Sequence, residues 1–247
     1  MNFGFSNFKI YLGAVYLVIL LAAIYFFFSN FDLSDLTSYE FIRENRGVIL
    51  EYKKGNIFFL TITFFIITIL LNLLLSPMLI PTLVIGFIFG KWLGTIILLF
   101  GNTCGGLLLY LLAKTFFSEF IQEKFSIKFA KFIEFFNKNE MMYFMLFRLI
   151  GGGGTPFPIQ NVLPVVFNMS VKNYILATFI GTIPTTFVTT ALGSGIESVI
   201  DQNAELNFFL VFISPEIYLP ILGFVLILAS TFILRKIFFK KVNYEKY

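Results

Sequence analysis

The sequence contains no histidine and a single cysteine, Cys104, among its 247 residues. Without histidine, the chain has neither imidazole metal ligands nor the usual general base of hydrolytic sites. This excludes serine–histidine intramembrane proteases, histidine-dependent lipid phosphatases and zinc proteases. One cysteine cannot form an internal disulfide, and Cys104 lies in an apolar run where it is expected to be a small buried residue. We therefore predict a protein that is not an enzyme and has no cofactor and no metal site.

Charge is also scarce. Charged residues make up 13% of the chain, against about 25% in an average soluble domain. Hydrophobic residues reach 58%, and the mean hydropathy is +0.88. This composition predicts an all-α polytopic membrane protein. The net charge of +4 is attributed to loop lysines facing anionic lipid, so no nucleic-acid partner is expected.

Uncharged stretches divide the chain into segments. Residues 1–31 are predicted to hold an N-terminal transmembrane helix, because their uncharged run is too long for the apolar core of a cleaved signal peptide. Residues 32–54 carry mixed charges and are interpreted as a polar loop or a short surface helix. Spans follow at 92–113 and 173–193. Residues 196–247 are predicted to hold an acidic loop, a last transmembrane helix and a basic cytoplasmic tail.

Two apolar segments, near 57–91 and 141–171, are broken by proline and glycine. The first is too long for one span and too short for two, which favours a re-entrant hairpin covered by protein or water. Lysine and arginine place the basic tail and the lysine-rich residues 114–140 in the cytoplasm. Segment 141–171 then begins and ends inside, as a second hairpin would. The residues assigned to hairpin structure are Pro77, Pro81, Gly86, Gly90, Pro158, Gly181 and Pro184.

With this orientation, the unit of a re-entrant hairpin followed by a transmembrane helix occurs twice, in opposite orientations across the membrane. A shift of about 80 residues aligns Gly101 with Gly181, and inverted repeats of this kind recur in transporters. Both termini are expected in the cytoplasm of a bacterial plasma (inner) membrane. Residues 114–140 are predicted to form an amphipathic helix in the cytoplasmic interface, with partner binding through its phenylalanine face as the alternative.

Arg148 is the only charged residue between Glu140 and Lys172. An arginine in an apolar span costs at least about 2.5–3.5 kcal/mol on insertion scales, so it marks a functional site by default. Its planar fork of donors suits phosphate, and a glycine run can present backbone N–H groups to an anion. The predicted substrate-binding residues are Arg148, Gly152, Gly153, Gly154, Thr155, Pro156 and Asn161. The alternative is that Arg148 only braces the hairpin carbonyls or pairs with Glu140.

These motifs resemble the DedA superfamily, also called the VTT-domain or SNARE-associated Golgi protein family. One stretch runs from Gly86 to Gly94 as GFIFGKWLG and leads to Gly101 and Gly105-Gly106. The other contains Phe147-Arg148-Leu149, then Pro156, Pro158 and Asn161, then Gly181-Thr182-Ile183-Pro184. The resemblance covers residues 55–195 as a VTT-type core and implies two facing hairpins and movement of lipid across the bilayer. Residues 57–90 lack the acidic residues of DedA members proper, so the chain resembles the Golgi-protein-like branch more closely.

The expected function is therefore lipid movement, by a phospholipid scramblase or a lipid-carrier flippase. Its expected partners are membrane lipids with phosphate-bearing headgroups, and homo-oligomerisation is left open. Because the first hairpin has no charge, Arg148 is expected to face an apolar partner, and proton coupling through a buried carboxylate is not expected. The alternatives are an ion or small-solute secondary transporter and a non-transporting membrane-organising protein.

Overall fold

The computed structural model describes residues 39–125, 130–201 and 218–226, together with isolated positions in 11–29 and at 215 and 229. Within these residues every regular element is a helix, which confirms the all-α prediction. In this described part of the chain, three helical segments are long and apolar enough to cross a membrane: Lys53–Leu73, Leu79–Glu119 and Val171–Ile196. The predicted N-terminal helix, the acidic loop, the last helix and the basic tail lie largely outside the described residues.

Helix α1, Tyr39–Leu73, begins inside the segment predicted as a polar loop. Residues 39–54 are helical because glutamate, arginine and lysine are good helix formers and no proline interrupts them. Asn56, at φ −133° and ψ 24°, breaks the helical geometry between this charged part and the apolar part. The apolar part leaves large side chains exposed, among them Phe58, Phe59 and Leu70, as a lipid-facing helix does.

Helix α2, Leu79–Phe125, contains one break, at Gly90. Residues 74–78 form the turn before it, where Leu75 has a φ of 54° and Pro77 lies outside both helices. Gly90 has φ 77° and ψ 174°, a conformation that essentially only glycine adopts. Pro81 lies in the first turn of α2, where a missing N–H leaves no hydrogen bond unmade. The first hairpin segment is thus a helix, a turn and a short returning helix that ends at Gly90.

After Gly90, α2 continues to Phe125 and does not end at residue 113. The prediction of one separate amphipathic helix over 114–140 is therefore wrong in its bounds. Lysine and glutamate enter the sequence here without stopping the helix, since both have high helix propensity. A separate helix, α3, spans only Ala130–Asn137. Its Phe136 is buried and stacks on Phe167, with ring centroids 4.2 Å apart.

The second broken segment begins with helix α4, Glu140–Leu149, capped by the Asn139 side chain, which accepts from the backbone N of Met142. A 3₁₀ turn, Gly151–Gly154, leads to the short helix α5, Phe157–Val162, and to a 3₁₀ turn at Leu163–Val165. Helix α6, Val171–Asp201, then runs through Pro184 without ending. The chain path is helix, turn and helix, as the predicted hairpin requires, while re-entry into the membrane stays a prediction.

Helices α2 and α6 pack together along most of their length, with α1 against α2 and α4 against α6. Glycine permits the closest approaches. A Cβ on Gly86 would lie 2.4 Å from the Thr190 carbonyl oxygen, and one on Gly193 would lie 2.2 Å from that of Leu83. The hairpin role predicted for Gly86 is thus a packing role against α6. Cys104 is half-buried and carries no disulfide.

Candidate functional site

Arg148 lies in the last turn of α4 and is almost completely buried, with 1% of its surface exposed. Its guanidinium donates to Gln160 Oε1 at 3.0 Å, to Asn161 Oδ1, and to the Tyr174 hydroxyl at 3.3 Å. The guanidinium carbon also lies 4.8 Å from the centre of the Phe144 ring. The charge is therefore held by neutral acceptors and aromatic faces, and its Nε has no hydrogen-bond partner.

No carboxylate forms an ion pair with Arg148 among the residues that the structure describes. The alternative of pairing with Glu140 is wrong. Eight residues separate the two along α4, which at about 1.5 Å per residue places them roughly 12 Å apart. The Glu140 carboxylate instead accepts from Ser170 N at 3.1 Å and from Asn173 Nδ2 at 2.6 Å, at the start of α6.

The contacts of Glu140 also change its acidity. Its partial burial raises the pKa of the carboxyl, but the hydrogen bonds from Ser170 and Asn173 and the charge of Lys114 lower it by more. The net result is a pKa below the usual range of a glutamate. The Glu140 carboxylate therefore stabilises the structure by linking the start of α4 to the start of α6.

Asn161 connects Arg148 to the other half of the molecule. Its Oδ1 accepts from both Arg148 and the Tyr174 hydroxyl, and its Nδ2 approaches Asn72 Oδ1 at 3.5 Å. Asn72, on α1, donates to Asn102 Oδ1, on α2, at 3.0 Å. All three asparagines are buried. Buried polar networks of this kind fix one arrangement of their helices, because each unmade hydrogen bond costs free energy.

Two glycines make room for this network. A Cβ on Gly181 would lie 2.7 Å from Arg148 Cβ and 2.7 Å from the Met145 carbonyl oxygen, so α6 crosses α4 directly on the arginine. A Cβ on Gly106 would lie 2.8 Å from the Tyr174 hydroxyl and 2.9 Å from Asn161 Oδ1. The structural role predicted for Gly181 therefore has a physical reason, which is the close contact of α6 with α4 at this residue.

A cavity of about 460 Å³ opens beside Arg148, within the usual size of small-ligand clefts. Both broken turns contribute to it: Pro77 from the first, and Gly151, Pro156 and Pro158 from the second. Seven residues with polar side chains also line the cavity, among apolar ones. They are Thr82, Asn102, Gln160, Thr182, Thr185, Thr186 and Thr189.

The first half of the chain lines this cavity with Thr82 and Asn102 as well as with apolar groups. The expectation of a wholly apolar partner for Arg148 is therefore wrong, although Arg148 is the one charged residue among the described lining residues. Four of the threonines lie on one face of α6, at residues 182, 185, 186 and 189. This spacing of three and four residues places them in a row along the helix.

Only some of the predicted substrate-binding residues lie together at this cavity. Arg148 and Pro156 line it, whereas Asn161 lies behind the arginine as its acceptor. Thr155 accepts at its carbonyl from Gln160 Nε2 at 2.7 Å. Gly152 and Gly153 belong to the 3₁₀ turn, and Gly154 and Thr155 do not appear in the described lining. Of the predicted structural residues, Pro184 lies in α6 beside a second groove that also contacts Trp92.

The sequence interpretation missed Asn72, Asn102, Gln160, Tyr174 and the threonine row. A signal existed for two of them, because Asn72 and Asn102 are isolated amides in apolar runs, where polar residues tend to face the protein interior. The threonine row had one as well, since its members repeat at helical spacing in a predicted span. Tyr174 and Gln160 had none, since tyrosine and glutamine are common at membrane interfaces and in turns.

Comparison with known proteins gives a family match that covers most of the part of the chain that forms this site. The family model of the VTT domain matches residues 76–195, from the first turn through both prolines of the second to most of α6. Neither the search of curated proteins nor that of solved structures found a match. The matched range contains both motifs on which the resemblance rested, and it overlaps two of the three apolar spans. The chain is an integral membrane protein that carries a VTT domain, the domain of the DedA and SNARE-associated Golgi protein family.

Proposed function

We propose that this protein moves lipids across the bilayer, as a phospholipid scramblase or a lipid-carrier flippase, and that Arg148 binds the anionic headgroup. The observation that carries the proposal is a buried arginine, without a carboxylate partner among the described residues, in the wall of a cavity that also holds several hydrogen-bonding side chains. A buried charge without a counter-ion is costly, and a bound anion supplies one. Arginine also matches phosphate in geometry.

The surroundings of Arg148 support binding of an amphiphile. Gln160, Asn161 and Tyr174 fix the guanidinium without neutralising it, so its charge stays available to a phosphate. The cavity contains hydrogen-bonding side chains beside Arg148, whereas the exposed surfaces of α1 and α2 are apolar, with Phe59 and Trp92 among the exposed side chains. A headgroup in the cavity with its tails along such surfaces would satisfy both parts of a lipid.

The proposal includes an inverted repeat of two re-entrant hairpins. The order of the elements supports it. In each half of the molecule, a turn with a positive-φ residue is followed by a short helix, a second positive-φ residue and a long helix. Leu75 and Gly90 mark these points in the first half, and Gly154 and Asn168 mark them in the second. The two proline turns share one cavity, as facing hairpin tips would.

Reconstitution tests the proposal. Purified protein is placed in phosphatidylcholine vesicles containing acyl-labelled phosphatidylglycerol, and movement between leaflets is followed by dithionite quenching. We expect Arg148→Gln to slow this movement roughly tenfold or more, because hydrogen bonds to a charged group are worth about 1.5–3 kcal/mol. Arg148→Lys should retain part of the rate, since lysine keeps the charge and loses the fork.

Lys138→Gln provides the matched control, because it removes one positive charge from an exposed position outside the cavity. It should leave the rate unchanged. The proposal fails if wild-type protein moves lipid no faster than empty vesicles, or if Arg148→Gln equals wild type.

A small-anion transporter is the second candidate, favoured by the buried guanidinium of Arg148 in the wall of a cavity of small-ligand size. Flux of radiolabelled phosphate or sulfate into the same vesicles, with and without an ion gradient, separates it from the first. Anion flux without lipid movement would select this candidate. In either case we propose movement without proton coupling, since the described lining residues include no carboxylate.

A further inference from the structure

Four of the five threonines in the described lining share one hydrogen-bonding state, in which the hydroxyl donates to a carbonyl oxygen of its own helix. Thr82 donates to the carbonyl oxygen of Met78 at 2.6 Å, and Thr182 donates to that of Thr178 at 2.8 Å. Thr185 and Thr189 do the same along α6, at 3.1 and 2.9 Å. A hydroxyl has one hydrogen to donate, and here the helix backbone takes it. These side chains therefore offer only acceptor lone pairs to a ligand.

The cavity thus combines two opposite chemistries. Arg148 is a donor group and suits phosphate oxygens. The hydroxyls of these four threonines are acceptors and suit a group that carries O–H or N–H. A headgroup that satisfies both has a phosphate with a hydrogen-bond donor attached beyond it. Choline has no N–H or O–H, so its headgroup leaves the threonines without partners.

Charge distinguishes the remaining headgroups. A phosphodiester with one negative charge neutralises Arg148, the one charged residue among the described lining residues. An ethanolamine headgroup adds an ammonium, and no described lining residue is a carboxylate that would pair with it. That second positive charge would lie in the same cavity as the Arg148 guanidinium with no carboxylate to offset it, and the repulsion between the two cations is unfavourable. A glycerol substituent supplies two hydroxyl donors and no charge.

We propose that the cavity selects lipids whose phosphate bears an uncharged, hydroxyl-containing substituent, of the phosphatidylglycerol type. Arg148 takes the phosphate, and Thr185 and Thr189 accept from the hydroxyls of the substituent. This inference rests on the proposed function, because it specifies the headgroup that the same site recognises.

A comparison of the rates of different headgroups in the vesicle assay tests the inference. Acyl-labelled phosphatidylglycerol, phosphatidylethanolamine, phosphatidylcholine and phosphatidic acid are compared in wild type and in Thr185→Val/Thr189→Val, which keeps side-chain shape and removes both hydroxyls. Both threonines are only partly buried, which limits the effect on folding. Wild type should move phosphatidylglycerol fastest. The double variant should slow it about tenfold and change phosphatidic acid, which has no substituent, less than about twofold.

Thr61→Val is the matched control. Thr61 makes the same bond to a carbonyl four residues earlier, at 2.8 Å, but lies on α1 outside the described lining. It should change no rate, and thermal melting of each variant verifies its fold. Equal wild-type rates for phosphatidylglycerol and phosphatidylcholine would overturn the inference, as would an unchanged preference in the double variant. Either result leaves the proposed function standing if Arg148→Gln still blocks movement, and the proposed function fails separately if it does not.

Discussion

Replacement of Gly181 by alanine is expected to disturb the site through the backbone. The new Cβ would lie 2.7 Å from the Met145 carbonyl oxygen, and ordinary contact begins near 3.4 Å. Because a helix carbonyl cannot rotate away as a flexible side chain can, α6 and α4 must separate by roughly 0.7 Å. The Tyr174 hydroxyl, on α6, accepts from the Arg148 guanidinium at 3.3 Å, which is the limit of hydrogen bonding, so this contact should be lost first.

Overpacking of this kind typically costs about 1–3 kcal/mol. For a domain of this size, a loss of 1 kcal/mol lowers the melting temperature by about 2–4 °C, so we expect a decrease of about 2–12 °C. The fluorescence of Trp92, the only tryptophan, provides the assay. Its ring lies 5.0 Å from that of Phe187 on α6 and therefore reports on this packing during heating.

Gly47→Ala is the control, because a Cβ at Gly47 in α1 meets nothing within 4 Å. Alanine is favoured over glycine in a helix by roughly 0.5–1 kcal/mol, so this variant should melt at or above the wild-type temperature. If Gly181→Ala melts as high as Gly47→Ala, with unchanged Trp92 fluorescence, the crossing is not as tight as described and the reasoning is refuted.

Three further expectations concern the breaks and the network. Gly90→Ala should destabilise by about 1–3 kcal/mol because its φ of 77° and ψ of 174° exclude a side chain, and wild-type melting of this variant would contradict that. Asn161→Leu should lower the melting temperature more than Asn72→Leu, since Asn161 is the acceptor for a buried guanidinium, and a reversed order would contradict its central role. The lowered pKa of Glu140 means that its contribution is present above the ordinary glutamate pKa and is lost as pH falls through the folded value. Melting between about pH 6 and 3 should therefore decline more steeply for wild type than for Glu140→Gln, and parallel curves would contradict this.

The sequence alone was sufficient for the helical class, the two broken segments and the importance of Arg148. Each depends on local properties: hydropathy over a span, the conformations open to proline and glycine, and the cost of one charge in an apolar run. Helix ends were less predictable. The start of charged residues at Lys114 was interpreted as the end of a span, whereas the helix continues because charge stops a membrane span and does not stop a helix.

The partners of Arg148 depend on long-range contacts. Asn161 approaches Asn72 across 89 positions of sequence, and Asn72 reaches Asn102 across 30. These contacts follow from where helices cross, and the crossings follow from glycines such as Gly106 and Gly181. A small residue in a membrane helix predicts close packing without indicating which helix approaches it. The residues of the network could therefore be recognised as unusual, while their pairing could not be deduced.

The neutrality of the acceptors around Arg148 connects the fold to the proposed function. A carboxylate partner would hold the guanidinium more firmly, and it would also neutralise the charge that a phosphate needs. Neutral acceptors on Gln160, Asn161 and Tyr174 hold the Arg148 guanidinium in place without a negative charge. An incoming anion is therefore repelled less than it would be by a carboxylate. Under the proposed function, an anion that enters the cavity recovers stability lost by burying this unpaired charge. Lipid binding should therefore stabilise the protein, and anionic lipids should raise its melting temperature more than choline lipids do. That difference should disappear in Arg148→Gln, and its persistence there would place the anion site elsewhere.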